Sequence, residues 1–308
     1  MNKSSLPQGV GRVSPSGPQV KVVQSVQAVV TPTTHLRLSL SQLTTLRWSL
    51  PEEIVQLRSA KYHGIGLWRP KVAELGAELS AELIRDAGLG VSSLSFAGGF
   101  TGLHGLSHAD AMADARDAIS DAAVLGAENL IVVSGTRNGH THRHSRRLLV
   151  DALCELADFA GLYGVRLCVL PMHYSFATTW TYLNTLDDTV EVLGQVDHPS
   201  AGLAFDTYQL WQEPRLIDRI PDLARLTGVV QIGDAHRSPQ SSHDCCVPGE
   251  GIIPLTEIVR AFQRSGFDGY YDVQVCSSSG WSGDYPSAVS QSRDAVLRLI
   301  EEPVTMSR

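Results

Sequence analysis

Short apolar or β-branched runs alternate with amphipathic helical stretches eight times along this chain, and this alternation restricts the fold more than any other feature. The predicted strands lie near residues 38–43, 64–68, 91–96, 129–134, 165–170, 202–205, 228–232 and 270–275. The helices predicted to follow them lie at 49 onwards, 71–87, 108–125, 145–163, 186–196, 213–226, 254–265 and 286–301. Repeated strand and helix units build a parallel sheet covered by helices.

Eight such units have two common architectures, a closed barrel and an open doubly wound sheet. The units average roughly 34 residues, which is usual for a (β/α)8 barrel. The glycine patterns GxGxxG and GxxxxGK[ST], which mark nucleotide-binding open sheets, follow none of the predicted strands. We therefore predict an α/β chain folded as a single (β/α)8 TIM barrel over residues 35–302. Residues 1–34 are predicted to be a flexible or loosely attached N-terminal segment, and residues 303–308 a C-terminal tail.

The charge balance argues against several classes of partner. The formal net charge is −7 and the chain has only four lysines, so no basic surface is expected for nucleic acid. The longest apolar runs fall far short of the roughly 20 residues that a membrane span needs. The five cysteines lack CxxC spacing and no signal-peptide pattern is seen. We expect a cytoplasmic protein that binds neither nucleic acid nor membranes.

Polar residues at or just after the predicted strands are the candidates for a functional site, because barrels of this type keep their sites at the carboxyl ends of the strands. They are Trp68, Arg137, His140, His173, Asp206, Gln231, Asp234, His236, Arg237 and Gln274. Imidazole and carboxylate groups can transfer protons, so Asp206, His173 and His236 are the candidate catalytic residues. The other seven are candidates for binding a ligand.

Six short motifs occur in an order and spacing typical of one family. They are Leu-Gly-Ala at 125–127, Leu-Pro-Met-His at 170–173, Phe-Asp-Thr-Tyr at 205–208, Val-Gln-Ile-Gly-Asp at 230–234, Pro-Gly-Glu-Gly at 248–251 and Gly-Phe-Asp-Gly at 266–269. Together they resemble the xylose isomerase-like TIM barrels, also called sugar phosphate isomerase/epimerase proteins. The resemblance covers roughly residues 36–302. It implies a sugar-like or small polyol ligand at the barrel mouth.

The resemblance also implies a divalent metal, held by a Glu ending strand five, an Asp ending strand six, a His or Gln ending strand seven and a Glu ending strand eight. The two glutamates act as bases in that family. The matching residues here are Leu170, Asp206, Gln231 and Gln274. Leucine offers no acceptor and glutamine no titratable group, so we expect a degenerate and unoccupied metal site and no cofactor. Weak binding of Mn²⁺ or Mg²⁺ is the alternative.

Histidines could replace the missing ligands in two ways. One set combines Asp206 and Gln231 with His173 and His236. The other is the run His-Thr-His-Arg-His at 140–144, which would place three imidazoles on one face if it were extended. Loop histidines that bond only to backbone or water are the simpler interpretation of both.

Three functions from different classes remain open. The first is a ligand-binding barrel that has lost metal-dependent proton transfer and is thus a pseudoenzyme. The second is an active isomerase, epimerase or lyase that acts on a sugar-like substrate through Asp206, His173 and His236. The third is a non-catalytic structural or regulatory partner of another enzyme.

Overall fold

The chain folds as a closed barrel of parallel strands. The computed structural model describes residues 36–102, 105–239, 244–275 and 284–301. Its strands are β1 Arg37–Ser41, β2 Gly64–Trp68, β3 Gly90–Gly98, β4 Ala127–Val133, β5 Arg166–Val169, β6 Ala201–Asp206, β7 Thr227–Ile232 and β8 Tyr270–Val273. Each pairs in parallel with the next, and β8 pairs with β1, which closes the ring. The predicted (β/α)8 barrel is confirmed, whereas the predicted segments 1–34 and 303–308 lie outside the described residues.

Helices connect successive strands. They are α1 Leu50–Ser59, α2 Arg69–Leu75, α3 Ala77–Asp86, α4 His108–Leu125, α5 His142–Leu162, α6 Leu186–Val196, α7 Thr207–Leu210, α8 Leu216–Leu223, α9 Leu255–Arg264 and α10 Tyr285–Glu301. The predicted start at Ser49 is confirmed by a capping box, in which the Glu52 carboxylate accepts the Ser49 main-chain N–H at 2.7 Å. In the described parts of the chain no helix has the length and apolar character needed to cross a membrane.

Two predicted helices have the wrong bounds for local reasons. The helix predicted over 71–87 is two helices, because Gly76 adopts φ 84° and ψ 158° and interrupts it. The fourth predicted helix begins earlier, at His142, because Thr141 caps it by accepting the N–H of His144 at 3.3 Å. The segment 140–144 is therefore a helix start and not an extended loop.

The helix predicted over 213–226 is present but shorter, Leu216–Leu223, and an additional short helix precedes it. The chain turns into the short α7 immediately after β6, and α8 follows separately. Asp206 begins α7, because its side chain accepts the main-chain N–H of Tyr208 at 2.8 Å and caps this helix. The last residue of β6 is thereby held at the strand end.

The interior of the barrel contains a second carboxyl group, that of Asp272 in β8. Its Oδ1 accepts hydrogen bonds from the Ser39 hydroxyl at 2.6 Å and the Ser92 hydroxyl at 3.2 Å. Gly66 in β2 leaves room for it, since a Cβ there would lie 2.6 Å from Oδ2 of Asp272. Burial raises the pKa of Asp272 to about 6. The barrel interior around Asp272 is therefore partly polar.

Replacing Gly66 with alanine should destabilise the protein by about 1–3 kcal/mol, because the new Cβ would overlap the Asp272 carboxyl group in a packed interior. Gly194 in α6 is the matched control, since a Cβ there meets nothing within 4 Å. Alanine at that helical position should stabilise by up to about 1 kcal/mol. Denaturant unfolding of both variants measures the difference, and equal stabilities would contradict the packing described.

Candidate functional site

A cavity of about 300 Å³ lies at the carboxyl ends of the strands. It is lined by all four residues of the degenerate metal set, which are Leu170, Asp206, Gln231 and Gln274. The strand register explains the convergence, because Asp206 lies opposite Gln231, and Gln231 lies opposite Asp272, two residues before Gln274. Just beyond β5, the main-chain N–H of Leu170 donates to the carbonyl of Val132 in β4 at 2.9 Å. The sheet therefore brings these side chains to one place.

Asp206 is the carboxyl group of this cavity, and it is buried with 7% of its surface exposed. Its pKa is raised to about 7, mainly by burial and to a smaller extent by the nearby Asp272, although hydrogen bonds from the backbone N–H groups of Tyr208 and Gln209 act in the opposite direction. Among the described lining residues there is no Lys, Arg or His to offset its charge. Asp206 can therefore exchange a proton near neutral pH.

Three glutamines share the cavity with Asp206: Gln209, Gln231 and Gln274. Gln231 is 3% exposed, and its Oε1 accepts no hydrogen bond from any described residue. The Oε1 of Gln209 accepts the main-chain N–H of His173 at 3.0 Å. A buried acceptor such as that of Gln231 is costly unless a ligand or water donates to it.

The remainder of the lining is mostly apolar. Aromatic rings of Trp68, Phe96 and Trp180 form part of it, and the centroids of the last two are 5.8 Å apart. The other lining residues are Leu43, Leu46, Val133, Met172, Tyr208 and Cys245. Leu170 extends this apolar surface at the position where the resemblance implies a glutamate.

His173 lies outside the lining of the cavity. Its Nδ1 is 2.9 Å from the Ser175 hydroxyl, and its ring packs against that of Tyr174 with centroids 4.1 Å apart. Burial lowers the pKa of His173, and a hydrogen bond with Gln212 opposes this. His173 reaches the cavity only through its main-chain N–H, which positions the Gln209 side chain.

Asp234 organises the loop after β7. Its carboxylate accepts four main-chain N–H groups at 2.8–3.1 Å, those of Ala235, Gly249, Gly251 and Ile253. Gly251 is needed there because a Cβ would lie 2.2 Å from Oδ1 of Asp234. Both carboxylate oxygens are thus bonded to backbone, and Asp234 does not line the cavity.

The next two candidates are on the surface. His236 and Arg237 are exposed, and Nη2 of Arg237 lies 3.5 Å from Oδ2 of Asp244. Neither residue lines the cavity. The structure therefore does not bring His173 and His236 together with Asp206 and Gln231 as a replacement set of metal ligands.

The histidine run also does not form a common face. The rings of His140 and His144 are 4.7 Å apart, whereas that of His142 packs against Tyr182 at 6.4 Å. Arg137 is exposed, and its carbonyl accepts the N–H of His140 at 2.8 Å. Within the described ranges no three His, Cys, Asp or Glu side chains are grouped so that they could hold a metal. The alternative of a histidine metal cluster is wrong for these residues.

A divalent metal does not fit the residues at the four family positions. Asp206 is the only carboxyl group among them, Leu170 has no donor atom, and the two glutamines offer neutral amides. Mg²⁺ and Mn²⁺ favour carboxylate and water oxygens. An ion held by Asp206 alone would keep a net positive charge inside a largely apolar cavity, which is costly.

The fold and these strand-end positions place the chain in a known group. Residues 54–299 match the family described as xylose isomerase-like TIM barrel, and the chain belongs to this family. No curated protein sequence matches the chain significantly.

Solved structures share the architecture. Protein SMc04130 from Sinorhizobium meliloti 1021 is 24% identical with a TM-score of 0.80, over 86% of this chain and 99% of that one. The IOLI protein, solved with a bound zinc atom, is 18% identical with a TM-score of 0.76, over 88% of this chain and 100% of that one. The 3-keto-D-glucoside 4-epimerase YcjR from E. coli is 16% identical with a TM-score of 0.70, over 86% of this chain and 99% of that one. At these identities the likeness shows the fold alone.

Sequence reasoning missed most of the apolar lining. Phe96 and Val133 lie at the ends of predicted strands, and counting inward-facing positions with a period of two could have identified them. Trp180 comes from the segment between β5 and α6 and has no comparable signal. The apolar character of the cavity is therefore a finding of the structure.

Asp206 should make the protein less stable as the pH rises from about 4 to about 7. The folded protein keeps the Asp206 proton up to its pKa of about 7, whereas the unfolded chain releases it near pH 4, at about 3.9. The folded state therefore binds more protons within this window, and the stability that this contributes is lost as the pH rises. The free energy of unfolding of Asp206→Asn, relative to that of wild type, should therefore rise by about 2–4 kcal/mol as the pH rises through this window.

Urea unfolding at both ends of this pH window measures the effect, and a constant offset from the altered helix cap cancels in the comparison. Asp222→Asn, at an exposed carboxylate in α8, is the control and should track wild type at both pH values. A difference between Asp206→Asn and wild type that does not change with pH would show that the pKa of Asp206 is the same in the folded and unfolded chains.

Proposed function

We propose that this protein binds a small, ring-sized organic ligand in the cavity at the strand ends, without the metal-dependent proton transfer of sugar isomerases and epimerases. One observation carries the proposal: four strand-end residues converge on one cavity with a single carboxyl group among them, namely Leu170, Asp206, Gln231 and Gln274. In this view the barrel retains the place of the family's site but not its chemistry.

The groups missing from the cavity are those that metal-dependent proton transfer in sugar isomerases and epimerases needs. Moving a proton between adjacent carbons requires a base within hydrogen-bond reach and a cation that stabilises the enediolate oxygen. Leu170 cannot accept a proton, and the Gln274 amide does not titrate near neutral pH. Asp206 supplies one acid–base group but no second group on the opposite side of a substrate. The bound ligand should therefore leave unchanged.

The family relationship supports a ligand that carries at least one hydroxyl group. YcjR is a 3-keto-D-glucoside 4-epimerase, and the IOLI structure contains zinc. In this chain the carboxyl and amide groups on β6 to β8 can bind such hydroxyls directly. The proposal thus keeps a small ligand and replaces metal ligation by hydrogen bonds.

A second function is favoured by one observation, the pKa of Asp206 near 7. A carboxyl group that titrates near the working pH is suited to general acid–base catalysis. An isomerase, epimerase or lyase built on this residue would act without His173 and His236, which lie outside the lining. Exchange of a sugar C–H proton with solvent deuterium, seen by NMR and lost in Asp206→Asn, would favour this function over binding alone.

Introducing glutamates at positions 170 and 274 tests the proposed loss of metal binding directly. Wild-type protein, treated with chelator and dialysed, should show no calorimetric binding of Mn²⁺ or Mg²⁺. The double variant L170E/Q274E should bind Mn²⁺ and should melt at a higher temperature when Mn²⁺ is present, because three carboxyl groups then surround one point. Leu170→Gln is the matched control, since it has the shape of Leu170→Glu without the charge, and it should bind no metal.

Two results would count against this account. Binding of Mn²⁺ by wild-type protein would show that a metal site persists with the present residues. A folded L170E/Q274E variant that binds no metal would show that more of the cavity has changed than these two side chains.

A further inference from the structure

The cavity has two chemically different sides, and the division follows the order of the strands. Its polar side chains come from β6, the turn after it, β7 and the end of β8. Its side chains from β2, β3, β4 and the segment after β5 are hydrocarbon, thioether or indole groups, and the indole N–H groups of Trp68 and Trp180 are the hydrogen-bond donors among them. Because neighbouring strands are adjacent in a closed barrel, each side is a continuous surface.

The apolar side is formed by flat rings and branched chains. Phe96 and Trp180 pack together with centroids 5.8 Å apart, and Trp68 lines the cavity with them. Leu170 adds methyl groups where a sugar-binding relative would offer a carboxylate. Hydroxyl groups placed against the ring faces or the leucine methyl groups would lose water without gaining a partner.

One acceptor atom on the polar side has no hydrogen-bond donor as its partner. Gln231 is buried, and its Oε1 lies without a partner among the described residues. This atom is buried, so a ligand hydroxyl or N–H group would satisfy it after a small rotation of the amide, whereas a carbonyl or ether oxygen would not. The polar side therefore selects for a donor at the edge of the ligand.

The charges of the cavity select against anions. The described lining residues include no Lys, Arg or His, and the one carboxyl group among them is that of Asp206. A phosphate or carboxylate group bound there would be desolvated beside a carboxyl group and would have no cationic partner. A phosphorylated sugar is thus a poor occupant.

The volume sets the size of the ligand. An apolar cavity of about 150 Å³ in another protein holds benzene. The present cavity of about 300 Å³ has room for one substituted ring or two small ones.

We propose that the natural ligand is an uncharged, mainly hydrocarbon ring compound that carries a hydroxyl or N–H group on one edge. This inference rests on the proposed binding function and narrows its ligand class. The ring lies against Trp68, Phe96 and Trp180, and the donor group points to the Oε1 of Gln231. The apolar side excludes a free polyol, and the Asp206 carboxyl group without a cation beside it excludes a sugar phosphate.

Matched probes test the class on chelator-treated, full-length protein by titration calorimetry or ligand-observed NMR. Cyclohexanol and myo-inositol share a six-carbon ring and differ in the number of hydroxyl groups, and phenol and phenyl phosphate differ in charge. Cyclohexanol should bind at least tenfold more tightly than myo-inositol, and phenol at least tenfold more tightly than phenyl phosphate. Phenol should also bind more tightly than toluene, which lacks a donor.

Variants locate the bound ring. Trp180→Ala should weaken phenol binding about tenfold, and Trp180→Leu is used if the alanine variant does not fold. Trp211, a half-buried tryptophan outside the lining, is the control, and Trp211→Ala should leave phenol binding unchanged. Gln231→Met removes the acceptor at similar length and should abolish the preference for phenol over toluene.

The outcomes separate this inference from the proposed function. Metal-free binding of myo-inositol or of a sugar phosphate more tightly than the ring alcohols would overturn the ligand class and leave the binding function intact. Failure of every probe to bind, or binding that requires Mn²⁺, would overturn the binding function itself. Phenol binding that is unaffected by the Trp180 and Gln231 variants would overturn the assignment to this cavity.

Discussion

Closure of the sheet between β1 and β8 is the constraint on which the rest of the structure depends. In a closed barrel the side chains along each strand alternate between the interior and the helix layer, so residues at strand ends meet at one mouth whatever their chemistry. Leu170 and Gln274 therefore still converge with Asp206 and Gln231, although a leucine and a glutamine cannot do the work of two glutamates. Position is determined by the sheet, and function by the side chains placed there.

The second constraint is the burial of carboxyl groups without a cation beside them. Asp272 is stabilised by the hydroxyls of Ser39 and Ser92, and Asp206 by the backbone at the start of α7. Burial raises the pKa of both residues, to about 6 and about 7 respectively. A carboxyl group that is neutral for part of the time can donate as well as accept a hydrogen bond. This property suits a cavity that binds an uncharged ligand through hydrogen bonds.

Features with local signals could be predicted from the sequence, and features that depend on distant contacts could not. The helix over 108–125 was predictable because a glycine follows its end, whereas the break at Gly76 depends on a backbone conformation with no signal in the helical pattern. The family motifs predicted the four strand-end positions. They did not predict that the Asp234 carboxylate binds N–H groups 15 to 19 residues later, or that Trp180 packs on Phe96.

The ionisation of Asp206 is the most direct test of the central claim, which is that the site keeps its carboxyl group buried, without a metal or other cation. Its side-chain carboxyl carbon can be followed by ¹³C NMR during a pH titration, and the signal is assigned by its loss in Asp206→Asn. The account predicts a midpoint near pH 7, as burial raises the pKa to about 7, and no change when Mg²⁺ is added. A midpoint at about 4, typical of a solvated aspartate, or one that falls on addition of Mg²⁺, would contradict it.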